Sequence, residues 1–320
     1  MSTMGQKMKE KEQKMGNNTA GPNKIEYLFL YDAKNTIPNG DPFTGEQRFD
    51  EESQRALVSD VRIKRYIRDF LQEDPFGEKD VVFYSDKTQK GTTEERKKEL
   101  NLKTLEDVKN KCIDVRLFGV VTSEKKDNKL TGAVQFMLFN PTLHPVTLIT
   151  TQNTSIMTSG KEKTQGSIAT YSYLPYGLFI VTGYYNPIVG RENRVSARDL
   201  EKMKIALWQE INSKNTRSKN SQTSRLLIEV EYTDNYSKIT DLEERIVVKG
   251  GKEYRSFKEI KPDLNLEPLL ASLIQNREII KEVRIHLDPA SFSKEEFKKL
   301  EEGGVPVRFF VVKGLEIKEI

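Results

Sequence analysis

The hydrophobic and polar positions of this chain predict a strand, a turn-rich loop and an amphipathic helix as its opening elements. The run Ile25-Glu26-Tyr27-Leu28-Phe29-Leu30-Tyr31 is β-branched or aromatic at most positions, which predicts a largely buried strand. It gives way to Asn35-Thr36-Ile37-Pro38-Asn39-Gly40-Asp41-Pro42, where Asn-Gly and Asp-Pro are turn signals. Ser59 or Asp60 can then accept the free amides of a first helical turn. From there Ile63, Ile67, Phe70 and Leu71 recur at a spacing that gathers them on one face. Lys64, Arg65 and Arg68 fall on the opposite face in a stripe without an acid. Such a stripe is either an ordinary solvated face or a surface for an anion, and the amides of the preceding loop, around Asn39 and Gly40, can also bind phosphate oxygens.

Further along, Asp80 to Tyr84 predicts a short strand, and Thr92 to Lys111 a highly charged helical insertion with a sparse apolar face of Leu100, Leu102, Leu105 and Val108. Thr131 to Phe139 predicts a strand. Thr147 to Thr170 is polar and nearly free of acid, Glu162 excepted; a long polar stretch in a compact domain is usually functional or disordered. The tyrosine-rich run Ile168 to Tyr185 follows, so an ordered, projecting loop anchored on strands is expected. Tyr171 and Tyr173 are the candidates for base stacking, against the plain alternative that they are strand residues.

A helix begins at Ser196, with Asp199 as the partner of a capping box, and its stripe of Leu200, Met203, Leu207, Trp208 and Ile211 predicts core. Its end, Asn212 to Asn220, holds Lys214, Arg217 and Lys219 and no acid; cations there also suit the helix dipole, so the patch has two readings. A strand at Leu226 to Tyr232 is clear, whereas the pattern of Asp234 to Asn276 selects no element. The chain closes with a strand (Val283 to Leu287), a helix capped by Ser293 and Glu296, and a strand (Val305 to Val312). A closing β-α-β beside an opening β-α predicts an α+β sheet of the ferredoxin-like, or RRM-like, type.

Composition narrows the chemistry. With 31% charged and 36% hydrophobic residues and a net charge of +4, the distribution of charge matters more than its total. One cysteine, Cys112, rules out an internal disulfide and a cysteine-cluster zinc site, and two histidines, His144 and His286, give a metal centre or a Ser-His-Asp triad little material. No metal or cofactor is expected. Residues 1–24 are a basic tail without the apolar core of a signal peptide, and no stretch approaches the apolar length of a membrane span, so a cytoplasmic protein is expected.

Four motifs in order carry a resemblance. Tyr31-Asp32-Ala33-Lys34 with Pro38 to Pro42, Val58 to Arg68, Asp114-Val115-Arg116-Leu117-Phe118-Gly119, and Gly166 to Tyr173 together resemble the backbone subunit of the CRISPR Cascade complex, subtype I-B, in the RAMP superfamily. The similarity covers Ile25 to Tyr232 well and is looser beyond. It implies an RRM-like palm with inserted finger and thumb elements: one domain over residues 25–320, with insertions at about 86–112 (finger-like), 147–170 (thumb-like) and 234–280.

The resemblance further implies a non-catalytic protein that polymerises as a helical filament along the spacer of a CRISPR RNA, meets target DNA through guide pairing, and joins end-capping and large Cascade subunits. Carried over by position, Lys64, Arg65 and Arg68 would grip phosphates, Gly166 and Ser167 would lie at the thumb, and Met157 would be its base-flipping wedge. Asn39, Gly40, Arg116, Gln165, Tyr171, Tyr173 and Arg217 complete the expected RNA-binding set. Sequence-independent, salt-dependent phosphate contacts suit a protein that must hold any spacer. The competing expectation is a metal-dependent endoribonuclease of the type III backbone sort using Asp41 or Asp50, although a lone carboxylate in a turn-rich loop is more often an Asx-type turn former. A free-standing RNA-binding module is the third possibility.

Overall fold

Ile25 opens a strand that becomes the centre of the molecule, β1 (Ile25–Thr36). The computed structural model describes residues 21–85, 91–121, 129–154 and 168–320. After β1 come β2 (Phe49–Asp50), β3 (Arg55–Ser59) and α1 (Asp60–Leu71). Three short helices follow, α2 (Thr93–Glu99), α3 (Leu105–Lys111) and α4 (Ile113–Phe118), then a hairpin of β4 (Gly119–Val121) and β5 (Lys129–Thr131). The middle of the chain forms β6 (Val134–Phe136), β7 (Phe139–Pro141), β8 (Ile149–Thr154), β9 (Ile168–Tyr185), α5 (Pro187–Glu192) and α6 (Ala197–Ser213). The last part forms β10 (Gln222–Tyr232), β11 (Val247–Val248), α7 (Phe257–Ile260), β12 (Leu264–Asn265), α8 (Glu267–Gln275), β13 (Ile280–Leu287), α9 (Lys298–Glu302), β14 (Val307–Lys313) and β15 (Glu316–Glu319).

The main sheet runs β15-β14-β13-β10-β1-β9-β6, with β8 paired to β9 beside that path. β1 lies antiparallel between β9, from Ile25 opposite Tyr185 to Thr36 opposite Leu174, and β10. β6 is antiparallel to β9, so the chain passes from β1 through α1 to β6, and from β9 through α6 to β10, by two interleaved β-α-β crossings. The predicted closing β-α-β exists, because β13 and β14 are parallel, but β13 pairs with β10 and not with β1. It therefore widens the sheet past β10. The sheet is mixed, and the α+β class is as expected.

Alternation along β1 divides two cores. Tyr27, Phe29 and Tyr31 face α1 and α6, where Ile63, Ile67, Leu71, Leu200, Met203, Leu207, Trp208 and Ile211 are buried against them. Tyr31 stacks on Phe29 and Phe179 with ring centroids 5.8 and 5.1 Å away. Leu28 and Leu30 face the other way, with Tyr176, Leu178 and Ile180, under a cover that includes Leu242, Tyr254, Leu269 and Leu273. Each such side chain contributes about 1.5–3 kcal/mol on burial. The stretch from 234 to 280 is this cover. Its pattern was unreadable because it is built from pieces of two to nine residues that follow the shape of a sheet and keep no period of their own.

Other local differences have simple causes. The Thr92 to Lys111 stretch forms two helices because Asn101 takes a left-handed φ of 55° between them, and Thr92–Glu95 and Thr104–Asp107 supply a capping box to each. They enclose a third, small core of Phe83, Val108, Cys112, Val115 and Val120, with burial pushing the Cys112 thiol up to about 12. Asp80 to Tyr84 makes only one isolated bridge, Val81 to Cys112. Thr131 to Phe139 is divided, because β6 pairs with β9 while β7 pairs with β3. Asn23 and Lys24, expected in the tail, are docked: the Asn23 amide group donates to the Tyr232 and Thr233 carbonyls at 3.1 and 2.9 Å. The edge strands are short, β6 with three residues, β8 beside it with six, and β15 with the charged sequence Glu-Ile-Lys-Glu. Among the described residues no helix is long and apolar enough to cross a membrane.

Candidate nucleic-acid interface

Ser59 caps α1 as expected, its hydroxyl accepting from the Arg62 amide, and it is itself held by Asn39. The Asn39 side-chain oxygen accepts from the Ser59 amide at 2.7 Å and from its hydroxyl at 2.9 Å. The Asn39 amide donates to Gln47 Oε1 at 2.9 Å, the Asp41 amide to the Glu46 carbonyl at 2.7 Å, and the Phe43 amide to the Asp41 carboxylate at 2.9 Å. The expectation that this loop offers its amides to phosphate is therefore corrected for Asn39: it is buried and serves as a bracket for the helix. Gly40 is half-buried and bridges Gln47.

The stripe on α1 is paired: two of its cations meet acids one helical turn away on the same helix, and the third meets a distant one. Lys64 Nζ bonds Asp60 at 2.8 Å and Gln135 Oε1 at 3.3 Å, and Arg65 pairs with Asp69. Arg68 donates to Asp114 at 2.9 Å, and its guanidinium lies over the Tyr84 and Phe118 rings, 5.0 and 5.3 Å from their centroids. Asp114, fully buried, also accepts from the Phe83 and Tyr84 amides at 2.7 and 3.2 Å. Two of the predicted residues, Lys64 and Arg68, nevertheless line a cleft of about 490 Å³ with Lys129, Gln135 and the β4–β5 hairpin. Backbone meets backbone at the root of that hairpin: at Gly119, with φ of 82°, a Cβ would stand 2.3 Å from the Leu130 carbonyl oxygen, and at Gly132 one would stand 2.2 Å from the Phe118 carbonyl carbon.

Arg116 is engaged within the fold. Its Nε and Nη2 form a two-pronged pair with Asp199 at 3.0 and 2.7 Å, and Nη1 donates to the Lys109 and Asn110 carbonyls at 3.4 and 3.1 Å. The guanidinium ties α4 to the first turn of α6, so its geometry is that of a brace. Sequence could not separate the two roles, because a bidentate carboxylate pair and a phosphate contact use the same fork of donors.

A second basic group forms where the α6–β10 loop meets the end of β1 and the β8–β9 ladder. The Lys34 amide donates to the Ser221 carbonyl and the Ile37 amide to the Ser218 carbonyl, at 3.0 and 2.8 Å. Arg217 lies over the Tyr171 ring at 4.4 Å and donates to its hydroxyl at 3.0 Å, which joins two predicted residues from distant parts of the chain. Tyr173 is half-buried one ladder step on, opposite Ile149. Arg62 packs on Tyr66 at 4.0 Å, and its Nε and Nη2 are buried without a hydrogen-bond partner among the described residues. Burial, then the charges of Arg62 and Lys214, hold the Lys219 ammonium below the usual lysine range. Arg62 and Lys219 were not among the expected residues; the signal for Arg62 was its place one helical turn before Arg65. Met157, Gln165, Gly166 and Ser167 lie outside the described residues; the ladder leading to them pairs Ile149 with Tyr173 through Thr154 with Ile168.

The two carboxylates of the nuclease alternative are turn formers in this fold. Asp41 accepts from Phe43 and Thr44 and pairs with Arg48 at 3.3 Å, while Asp50 accepts from the Glu52 amide at 3.1 Å and from Ser53. The Ser53 hydroxyl, with the Glu52 amide, holds the Asp50 carboxyl below its ordinary value. Among the described residues no group of three or more His, Cys, Asp or Glu side chains could hold a metal ion. His144 is buried with Nδ1 donating to the Pro145 carbonyl at 3.0 Å, and burial lowers it to about 4.

The architecture is shared with chains of known assemblies. A chain of a CRISPR RNA-guided surveillance complex described as pre-nicking superposes with a TM-score of 0.55 at 14% identity, covering 84% of this chain and 94% of that one. A second, from a CRISPR RNA-guided surveillance complex, gives 0.53 at 14% identity, with 86% and 92% covered. The class is thus a mixed α+β sheet protein of the kind found in those complexes. The chain belongs to the CRISPR-associated protein Cas7 family, which it matches over residues 23–265. It is 27% identical over 308 residues to a CRISPR-associated protein Cas7 of Haloferax volcanii, covering 83% of this chain and 89% of that protein.

Proposed function

We propose that this protein is a non-catalytic, CRISPR RNA-binding backbone subunit of a type I-B surveillance complex. The observation that carries the reading is that a chain of the Cas7 family presents two basic groups, the cleft beside α1 and the α6–β10 loop. In this reading β10-β1-β9-β6, with α1 and α6 on one face, is an RRM-like palm. The small core around Val108 is the root of a finger, and the β8–β9 ladder is the base of the thumb. Lysine and arginine contacts to phosphate give affinity without sequence preference, which leaves the bases of a guide free to pair with DNA. Copies of the chain follow one another along the spacer, and end-capping and large subunits complete the particle in the cytoplasm.

The test is to purify the protein from a host that expresses a CRISPR array with the neighbouring subunits, size the particle and sequence its nucleic acid. Spacer RNA on a multi-copy particle is expected. A monomer free of nucleic acid overturns the proposal, and RNA cleavage abolished by Asp41→Ala overturns its non-catalytic part.

A further inference from the structure

The cover over the second face of the sheet stops short of the end of β1. On that face Leu28 and Leu30 lie under the cover, but the next two positions are Asp32 and Lys34. The register between β1 and β10 slips at this point, with Leu30 opposite Leu226 and Tyr31 opposite Ser224, so Arg225 is the extra residue of a bulge. A bulge re-aims its side chain, and Arg225 reaches Asp32 through Nε at 3.2 Å and Nη2 at 3.0 Å. Its Nη1 donates to Asp288 at 3.2 Å and to the Ser291 hydroxyl at 2.9 Å, and the Tyr176 hydroxyl donates to Asp32 at 3.1 Å. This network is the floor of an open cleft of about 620 Å³, walled on one side by the end of the sheet and on the other by the segment around α7.

The charges of the cleft divide into spent and available. Asp32 and Asp288 are taken up by Arg225, and Glu296 by Lys261, which also packs on the Phe292 ring at 3.4 Å. Lys34 from the sheet and Lys258 from α7 are exposed, line the same cleft and have no ion pair among the described residues. Ser221, Thr223 and Ser256 line the cleft as well. The aromatic rings of the lining, Tyr176 and Phe257, are buried, so the cleft offers cations and hydroxyls and no stacking platform. Ser221 is also the last residue of the acid-free loop that carries Arg217 and Lys219, so one loop contributes to both the cleft and that basic group.

We infer that this cleft is a second backbone site for single-stranded nucleic acid, in which Lys34 and Lys258 flank a phosphodiester from opposite walls. The inference rests on the RNA-binding reading above and adds a surface on the opposite face of the sheet from α1. Lysine suits the task because a compact ammonium on a flexible stem follows a phosphate of any sequence as a point charge. The strand is either the guide or a DNA strand brought to it, since both present the same backbone.

The experiment compares the wild-type chain with Lys34→Glu, Lys258→Glu and with a matched control, Lys298→Glu, Lys318→Glu, on α9 and β15. Binding is measured against salt in two arms: free guide RNA, and a complementary DNA strand added to RNA-loaded protein. Melting temperature is recorded for all three. Both cleft lysines are exposed, so unchanged melting is expected, with affinity about tenfold weaker and a shallower salt slope in one arm and not in the control. Loss in the RNA arm assigns the cleft to the guide, and loss in the DNA arm alone assigns it to the partner strand. Equal loss in the control, or no loss in either arm while the wild type binds, overturns the cleft and leaves the wider reading standing. A wild type that binds neither strand overturns both.

Discussion

Two basic surfaces of similar sequence character differ in what their charges are attached to. On α1, Lys64, Arg65 and Arg68 are answered by Asp60, Asp69 and Asp114. In the α6–β10 loop, Arg217 rests on a tyrosine ring, Lys219 donates to the Ser218 hydroxyl, and Arg62 stands near Lys219 with two buried donors that have no hydrogen-bond partner among the described residues. A cation that already holds a carboxylate must exchange it for a phosphate, with little net gain. Lys219, half-buried beside Arg62 and Lys214, gains a counter-charge on binding. The surroundings of a charge, and not the count of charges, separate Lys219 from the stripe on α1.

The largest test of that contrast is Asp114→Ala. It strands Arg68, whose side chain is only 12% exposed, and removes the acceptor of two backbone amides, so a loss of about 3–5 kcal/mol in denaturant unfolding is expected. Unchanged stability would mean that Arg68 is available to a ligand after all. Next is Lys64→Ala with Arg65→Ala, expected to weaken RNA binding about tenfold, flatten its salt dependence and also lower stability by about 0.5–1 kcal/mol through two lost i,i+4 pairs. An unchanged salt slope would move the phosphate contacts away from α1.

Lys219→Ala is expected to weaken RNA binding severalfold without a fall in melting temperature, because it removes a half-buried cation that sits beside Arg62 and Lys214. A fall in melting temperature as large as that of the α1 pair would erase the distinction. The smallest effect is on alkaline stability. Burial and two neighbouring cations lower Lys219, so between its folded value and the ordinary 10.5 the unfolded chain binds the extra proton and stability rises with pH. Lys219→Met should flatten that rise relative to wild type in melts between pH 8 and about 10.5, and added RNA should suppress it by keeping the ammonium charged.

What the sequence made legible was whatever repeats at the period of an element. Ile63, Ile67 and Leu71 defined α1, Ser196 with Asp199 defined the start of α6, and Ile25 to Tyr31 defined the central strand, because each depends on neighbours within a few residues. Long-range partners were out of reach. Nothing near Arg116 announces Asp199, 83 residues on, and nothing near Arg68 announces Asp114. The sheet order failed for the same reason: the closing β-α-β was visible, but its neighbour, β10 and not β1, is a matter of registry across the whole chain. Of the expected interface, the meeting of Tyr171 with Arg217 was implied only as two separate candidates.

The edges of the sheet bear on crowding. An unpaired strand edge is a template for another chain, and the hazard grows with local concentration. On the function proposed above, many copies gather on one polymer and the protein meets itself at high density. Here one edge strand spans three residues, Val134 to Phe136, and another is Glu-Ile-Lys-Glu, which places charges of both signs along the open ladder. Growth by strand addition is thereby blunted at β6 and at β15, and at those two strands an ordered array built through side-chain surfaces does not compete with a runaway sheet.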